Sequence, residues 1–235
     1  MSCAIQARGL TFGYAAGAQV LRGLDLTVAH GERVAVLGPN GAGKTTLMLH
    51  LNGILLGAGE LEVAGLAVGP DTLPALRARV GLVFQDPDDQ LFMPTVADDV
   101  GFGPRNLGLD EAAVTARTSA ALAAVRMAHG RRRVAIAGVL AMDPRLLVLD
   151  EPSANLDPRA RRELLDLLAA LGRTQLVVTH DLPFAAELCE RAVILSGGRI
   201  AADGPTRAIL ADAELLARHD LELPAGFDPA LVRPR

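Results

Sequence analysis

Apolar and polar positions alternate in short runs through the N-terminal part of the chain, then give way to longer helical spacings. Ile5–Phe12 and Gln19–Val28 read as strands on either side of a turn at Ala15-Ala16-Gly17, with Tyr14 in that turn. Arg33–Leu37 is a short apolar strand, and Thr46–Leu51 reads as the start of a helix. Gly59-Glu60-Leu61-Glu62-Val63-Ala64-Gly65 predicts a hairpin, and Val80–Phe84 a buried strand ending at Gln85. From Asp86 to Arg126 the character changes. Pro and Asp open this segment, which then becomes helical, with Asp110 placed to cap a long alanine-rich helix ending near Met127. A second helix is expected over Arg131–Met142. Leu146-Leu147-Val148-Leu149 is continuously apolar, as a central parallel strand buried on both faces should be. Helix Pro158–Leu171, strand Leu176–Val178, helix Pro183–Glu190 and strand Ala192–Leu195 follow. That alternation predicts helices packed over a largely parallel sheet. From Leu221 onward no period is visible.

The expected fold class is α/β, with an antiparallel β subdomain at the N-terminal edge and an inserted helical lobe. One domain over 1–235 is expected: a core from 1–84 and 131–220, a helical lobe at 85–130 and a tail at 221–235. Composition changes this picture little. Half of the 235 residues are hydrophobic, enough for a full core, and with no Trp and one Tyr that core must come from Leu, Val and Ala. A net charge of −4 gives no case for a nucleic-acid partner. Cys3 and Cys189 are too few for a disulfide framework and suit a reducing cytosol. No apolar run approaches the ~20 residues of a membrane span, and Met1–Arg8 lacks a signal core, so any membrane association is expected to run through a partner.

The chemistry centres on Gly38-Pro39-Asn40-Gly41-Ala42-Gly43-Lys44-Thr45, which fits the phosphate-loop pattern G-x-x-x-x-G-K-[ST] between a strand and a helix. Backbone N–H groups can surround phosphate oxygens only if side chains do not crowd the loop, hence Gly41 and Gly43. The helix that follows adds the partial positive charge of its N-terminus, placing Thr46 beside the phosphates as well. Lys44 brings an ammonium to the β- and γ-phosphates, and the Thr45 hydroxyl is a hard oxygen suited to Mg²⁺.

Asp150 and Glu151 end the apolar strand, at the edge where open α/β sheets bind their ligands. Asp150 suits a Mg²⁺-linked role and Glu151 the polarising of an attacking water. His180 ends a strand at the same edge and is a candidate γ-phosphate contact. Gln85 ends another and offers an amide oxygen to Mg²⁺ or its water. Lys44, Glu151 and His180 are thus the candidate catalytic residues, and Thr45, Gln85 and Asp150 the candidate metal ligands.

These residues, with the turn Ser153-Ala154-Asn155-Leu156-Asp157, stand in the order found in the ATP-binding subunits of ABC transporters, which nearly the whole chain resembles. Gln85–Phe92, Val100–Leu109 and Val134–Met142 look like the cobalt/nickel and energy-coupling-factor branch. That resemblance implies a phosphate-loop ATPase on the cytoplasmic face of the membrane, docked to a transmembrane subunit through its helical lobe. Its role would be to drive import of transition-metal ions or vitamins. It implies head-to-tail pairing with a second copy or a different ATP-binding chain, no nucleic-acid partner, ATP and Mg²⁺ as cofactors, Tyr14 stacked on adenine and Asp157 at the dimer interface. Without a partner, Asp157 is a helix cap before Pro158. The departure is the Leu-Ser-Gly-Gly-Gln signature expected before the helix that leads to Leu146–Glu151. Here the chain reads Arg126-Met127-Ala128-His129-Gly130-Arg131-Arg132-Arg133-Val134, and the linker looks truncated. Leu195-Ser196-Gly197-Gly198-Arg199 spells most of the motif but reads as a hairpin turn. The missing signature keeps a second reading open, a nucleotide-binding regulatory subunit poor in hydrolysis. A DNA- or ribosome-directed ATPase of the same fold is disfavoured by the weak acidic charge, and a GTPase by the lack of an Asn-Lys-x-Asp motif.

Overall fold

The computed structural model describes residues 3–14, 17–125 and 130–235. Strands β1 (Cys3–Gly13) and β2 (Gln19–Ala29) pair antiparallel and lead into β3 (Arg33–Leu37) and α1 (Lys44–Leu51). Next come the hairpin β4 (Ala58–Val63) and β5 (Leu66–Ala67), then α2 (Leu73–Arg79) and β6 (Val80–Val83). Helices α3 (Val96–Asn106), α4 (Glu111–Ala124) and α5 (Arg131–Ala141) precede β7 (Leu146–Asp150). After it come α6 (Pro158–Ala170), β8 (Thr174–Val178), α7 (Leu182–Leu188), β9 (Arg191–Ser196) and β10 (Arg199–Pro205). Helices α8 (Thr206–Ala211) and α9 (Ala213–Arg218) follow.

The strands form two sheets, one in the order β2-β1-β4-β5 and one in the order β10-β9-β3-β8-β7-β6. The first is antiparallel throughout; in the second only β10 runs against its neighbour. Every residue of β7 and β8 is buried, as their apolar runs require of central strands. Side chains alternate between two cores. Val34, Val36, Val148 and Val178 face the first sheet and α1, packing with Leu47, Met48 and Leu51. Ala35, Leu37, Leu147, Leu149 and Val177 face the helices on the other side, packing with Ile136, Leu165 and Phe184. Each fully buried leucine contributes about 1.5–3 kcal/mol by transfer from water, so the two-sided core fixes the sheet on which the site is built.

Several boundaries match the sequence pattern to within a residue or two. Asp110 caps α4 by accepting from the Ala113 N–H at 2.8 Å, and Asp157 caps α6 through the N–H groups of Arg159 and Ala160. The hairpin turns on Ala64 and Gly65, both at positive φ. Where the expected helix reaches Met127, residues 126–129 lie outside the described residues, as do Ala15 and Ala16 of the first turn. The pattern missed α3 as a separate helix because Gly101, Gly103 and Pro104 interrupt it. Gly103 is there for closeness: a Cβ would lie 2.5 Å from Met142 Cγ at the C-terminal end of α5. It also missed α2, β10, α8 and α9. The segment after Leu221 is not loose, since Leu223, Phe227 and Val232 pack on the second core.

Candidate active site

Four connections leave the same edge of the six-stranded sheet, after β3, β8, β7 and β6. Because these strands are neighbours in that order, the loops stand side by side. The β3–α1 loop is the phosphate-loop sequence. Gly41 has φ 77 with open space where a Cβ would point, so glycine serves the backbone there. Gly43 at φ 105 does two things, since a Cβ would also press to 3.1 Å from Leu21 Cδ2. The backbone conformation demands that glycine, and the β2 side of the molecule adds mild crowding. Lys44 folds back over the loop, its Nζ donating to Gly38 O at 2.7 Å and Pro39 O at 3.0 Å. Burial lowers its pKa, against the charges of Glu151 and Asp150, which raise it. Pro39, Asn40, Ala42, Thr45 and Thr46 complete the turn into α1. The Tyr14 hydroxyl lies 3.4 Å from Thr46 Oγ1, and its ring stands edge-on to Phe12 at 5.0 Å, with half its surface exposed.

Asp150 and Glu151 follow from β7 and are both buried. Burial, then the charge of Glu151, push the Asp150 carboxyl up to about 6, with Lys44 acting the other way. Glu151 takes φ 44, a left-handed conformation uncommon for a side chain of its size. Its carboxylate is fixed on both oxygens. Oε2 accepts from Thr179 Oγ1 at 3.0 Å and from the His180 N–H at 3.2 Å, while His180 Nδ1 lies 2.8 Å from Oε1. The His180 ring is otherwise open to solvent, 71% exposed. Thus β7 and β8 deliver an oriented carboxylate with an accessible imidazole against it.

Gln85 is exposed beyond the end of β6. Its backbone carbonyl accepts from Arg132 Nη2 at 2.9 Å, and Arg132 Nη1 donates to Glu151 O at 3.0 Å, so one side chain ties Gln85 to the Glu151–Pro152 turn. The three arginines of the run Arg131–Arg133 take different partners. Arg131 is exposed and pairs with Asp88, while Arg133 reaches Glu163 on α6. Nothing in the sequence marks Arg132 or Thr179 as site residues, since the acceptors of Arg132 are backbone carbonyls and Thr179 acts only once β8 lies beside β7. Asp157 is exposed at the start of α6. The look-alike Ser196-Gly197-Gly198 is the β9–β10 turn: both glycines are at positive φ, and Gly198 O accepts from the Arg22 N–H at 2.9 Å. Arg126–His129, where the signature would stand, lie outside the described residues.

The residues present fit a nucleotide and Mg²⁺. The Thr45 hydroxyl, Gln85 amide and Asp150 carboxylate are hard oxygen donors of the kind Mg²⁺ takes. Among the described residues no cluster of three His, Cys, Asp or Glu side chains forms a closed metal cage. The raised Asp150 carboxyl marks a place where a cation would relieve two adjacent carboxylates. Among the described residues no helix is long and apolar enough to cross a membrane.

The family model "ABC transporter" matches residues 21–154. A Streptomyces coelicolor protein, provisionally named an ABC transporter ATP-binding protein, is 59% identical over 238 residues, spanning 96% of this chain and 92% of its own length. A cobalt import ATP-binding protein of Rhodobacter capsulatus is 45% identical over 253 residues, spanning 100% and 90%. Among solved structures, cbiO1 from Clostridium perfringens, described as part of the ABC transporter complex cbiONQ, superposes with a TM-score of 0.82 at 33% identity over 95% of this chain and 97% of that one. With its phosphate loop and oriented Glu151 at one sheet edge, the chain belongs to the ABC transporter family, as one of its ATP-binding, ATP-hydrolysing subunits.

Proposed function

We propose that this chain is the energy-coupling subunit of an importer for a transition-metal ion, cobalt or nickel, or for a vitamin. In this reading it works at the cytoplasmic membrane face, paired with a second ATP-binding chain and docked to a transmembrane subunit. The importer part of the reading is supported by the 45% identity to a cobalt import ATP-binding protein, and its hydrolytic part is carried by the Glu151 carboxylate, held by Thr179 and His180 beside the phosphate loop. A fixed carboxylate there orients a water and draws its proton; positioning and charge stabilisation are most of what phosphoryl transfer asks of a protein. His180, bonded to Oε1, holds Glu151, and its exposed side stays free for a terminal phosphate. Lys44 leaves its two carbonyl partners for phosphate oxygens, and the loop amides receive the rest. Thr45, Asp150 and Gln85 would hold Mg²⁺, which would supply charge neutralisation at the phosphates.

Docking is supported by an apolar cavity of about 510 Å³ between the segment after β6 and the helices α3 and α5. Ile54, Phe84, Leu91, Phe92, Phe102 and Met142 line it, and Phe92 is 64% exposed. A short amphipathic helix of a membrane subunit fits such a groove.

A second reading, a nucleotide-binding regulatory subunit with weak hydrolysis, is favoured by one observation: no Ser-Gly-Gly precedes α5. The test of the main reading is Glu151→Gln, with Lys44→Ala as the binding control. Glu151→Gln is expected to bind MgATP as the wild type does and to stop hydrolysis, while Lys44→Ala abolishes binding. Normal turnover by Glu151→Gln would sink the role given to this carboxylate. Equal affinity of Lys44→Ala and wild type in calorimetry would sink the nucleotide site.

A further inference from the structure

Arg132 lies in the first turn of α5, which opens at Gly130 without a side-chain cap. Its two neighbours find carboxylates: Arg131 takes Asp88 and Arg133 takes Glu163. The guanidinium of Arg132 instead spreads over neutral oxygens. Nη1 donates to Glu151 O at 3.0 Å and to Pro152 O at 2.5 Å, and Nη2 to Gln85 O at 2.9 Å. These carbonyls belong to two loops. Beneath them β6 and β7 are paired by the sheet from Val80–Leu146 to Val83–Leu149, and beyond that pairing the arginine joins the two chains.

The arrangement has a cost and a fit. A cation drawn half out of water toward carbonyls gains less than one beside a carboxylate. Burial accordingly lowers the Arg132 pKa, with Asp86 partly offsetting it. A planar fork carries donors on two separate terminal nitrogens and so spans the carbonyls of two loops, whereas a lysine gathers its three donors on one nitrogen. Glu151 also needs holding. Its backbone sits at φ 44, tied on the amide side by Val178 O at 2.8 Å and on the carbonyl side by Arg132 and the Ala154 N–H. Release of the carbonyl side frees the peptide that sets where the carboxylate stands.

We propose that Arg132 is a positioning residue for ATP hydrolysis, clasping the Gln85 loop to the Glu151–Pro152 turn so that displacement of α5 is delivered to the Glu151 carboxylate. Helix α5 is suited to carry that displacement. It packs on α3 and α4, forms one wall of the apolar groove, and receives a second tie where Gln90 Nε2 donates to Ala135 O at 3.2 Å. The proposal rests on the role given to Glu151 above.

The experiment compares the full chain with Arg132→Ala, Arg132→Lys and Glu151→Gln. It measures the MgATP Kd by equilibrium titration and the hydrolysis rate in single turnover, with protein in excess of ATP. Arg132→Ala is expected to keep Kd within about threefold and to lose roughly 10- to 100-fold in rate, the scale of a misplaced catalytic group. Arg132→Lys is expected to fall between. Amide exchange, which does not depend on turnover, is expected to rise together at 85–86 and 151–154 in Arg132→Ala. A wild-type rate in either Arg132 variant, with Glu151→Gln inactive, overturns the proposal alone. So does a loss of rate matched by an equal loss of MgATP affinity, or unchanged exchange at both loops. Wild-type turnover by Glu151→Gln removes the premise together with the proposal.

Discussion

Ionising a carboxylate at the buried end of β7, beside a second carboxylate, is costly, and Asp150 titrates at about 6 instead of the ordinary 3.8. The folded protein therefore holds this proton more tightly than the unfolded chain. Ionised Asp150 weakens the fold, fully above about pH 6 and not at all below the unfolded carboxylate range. Asp150→Asn should thus stabilise the nucleotide-free protein near pH 7.5 by on the order of 2 kcal/mol, since each pKa unit is worth about 1.4 kcal/mol. That gain should fade as pH falls from about 6 to about 4, while MgATP affinity drops at all pH values. Urea unfolding at both ends of the range checks this, and a gain independent of pH would refute it. Tyr14 offers a simpler case. Its half-exposed ring beside Thr46 is available for stacking. Tyr14→Ala is expected to weaken ATP, ADP and GTP alike by roughly 1–3 kcal/mol, because stacking reads a ring face and not a base edge. Unchanged affinity in calorimetry would return Tyr14 to the surface.

At the scale of elements, most of what positions the site could be read from local pattern. The strands β3 and β7 announce themselves as unbroken apolar runs, and the glycine loop and the Asp-Glu pair sit at their ends, because a strand's end is where a buried run must stop. Caps such as Asp110 and Asp157 are equally local. What escaped was written in tertiary distance. Gly103 interrupts helix α3 because the helix lies against Met142 there, a reason visible only once α5 is placed. Arg132 reads as a charge at the wrong end of a helix until the carbonyls of Gln85, Glu151 and Pro152 come within its reach. The groove between α3 and α5 belongs to the same class, since its wall draws on Ile54 and Phe92 from distant segments. Phe92→Arg gives up an edge-on contact with Phe102 at 4.8 Å and is expected to cost at most about 1 kcal/mol of stability, yet to abolish co-purification with a co-expressed membrane subunit. Retained co-purification would move the docking surface elsewhere.

At the scale of the whole molecule, the open question is how one chain completes a site that the family builds from two. In ABC transporters, by the resemblance, each ATP lies between one chain's phosphate loop and the signature of the other, whose hydroxyl, amides and helix N-terminus grip the terminal phosphate. Here the helix that should carry that grip starts at Gly130 without a side-chain cap, and arginines fill its first turn. Their charges oppose the helix dipole, and their side chains are engaged with Asp88, with the carbonyls of the Glu151–Pro152 turn and with Glu163. The turn at Ser196-Gly197-Gly198 cannot substitute, because it is packed on β2 through Gly198 and Arg22. Two copies of this chain would therefore lack the second grip at both sites, whereas a different partner carrying the signature would complete this chain's own phosphate loop. Removing one charge-stabilising donor costs about 10²–10³ in rate, and several are absent together. The purified chain is expected to bind MgATP, hydrolyse it slowly and dimerise poorly with ATP. Insertion of a Leu-Ser-Gly-Gly-Gln segment with a longer linker before Arg131 should raise both turnover and ATP-driven dimerisation, read by phosphate release and light scattering. Vigorous Glu151-dependent turnover by the unmodified homodimer would count against this. Loss of activity on altering Ser196-Gly197-Gly198, with folding intact, would do the same and give that turn a role at the nucleotide.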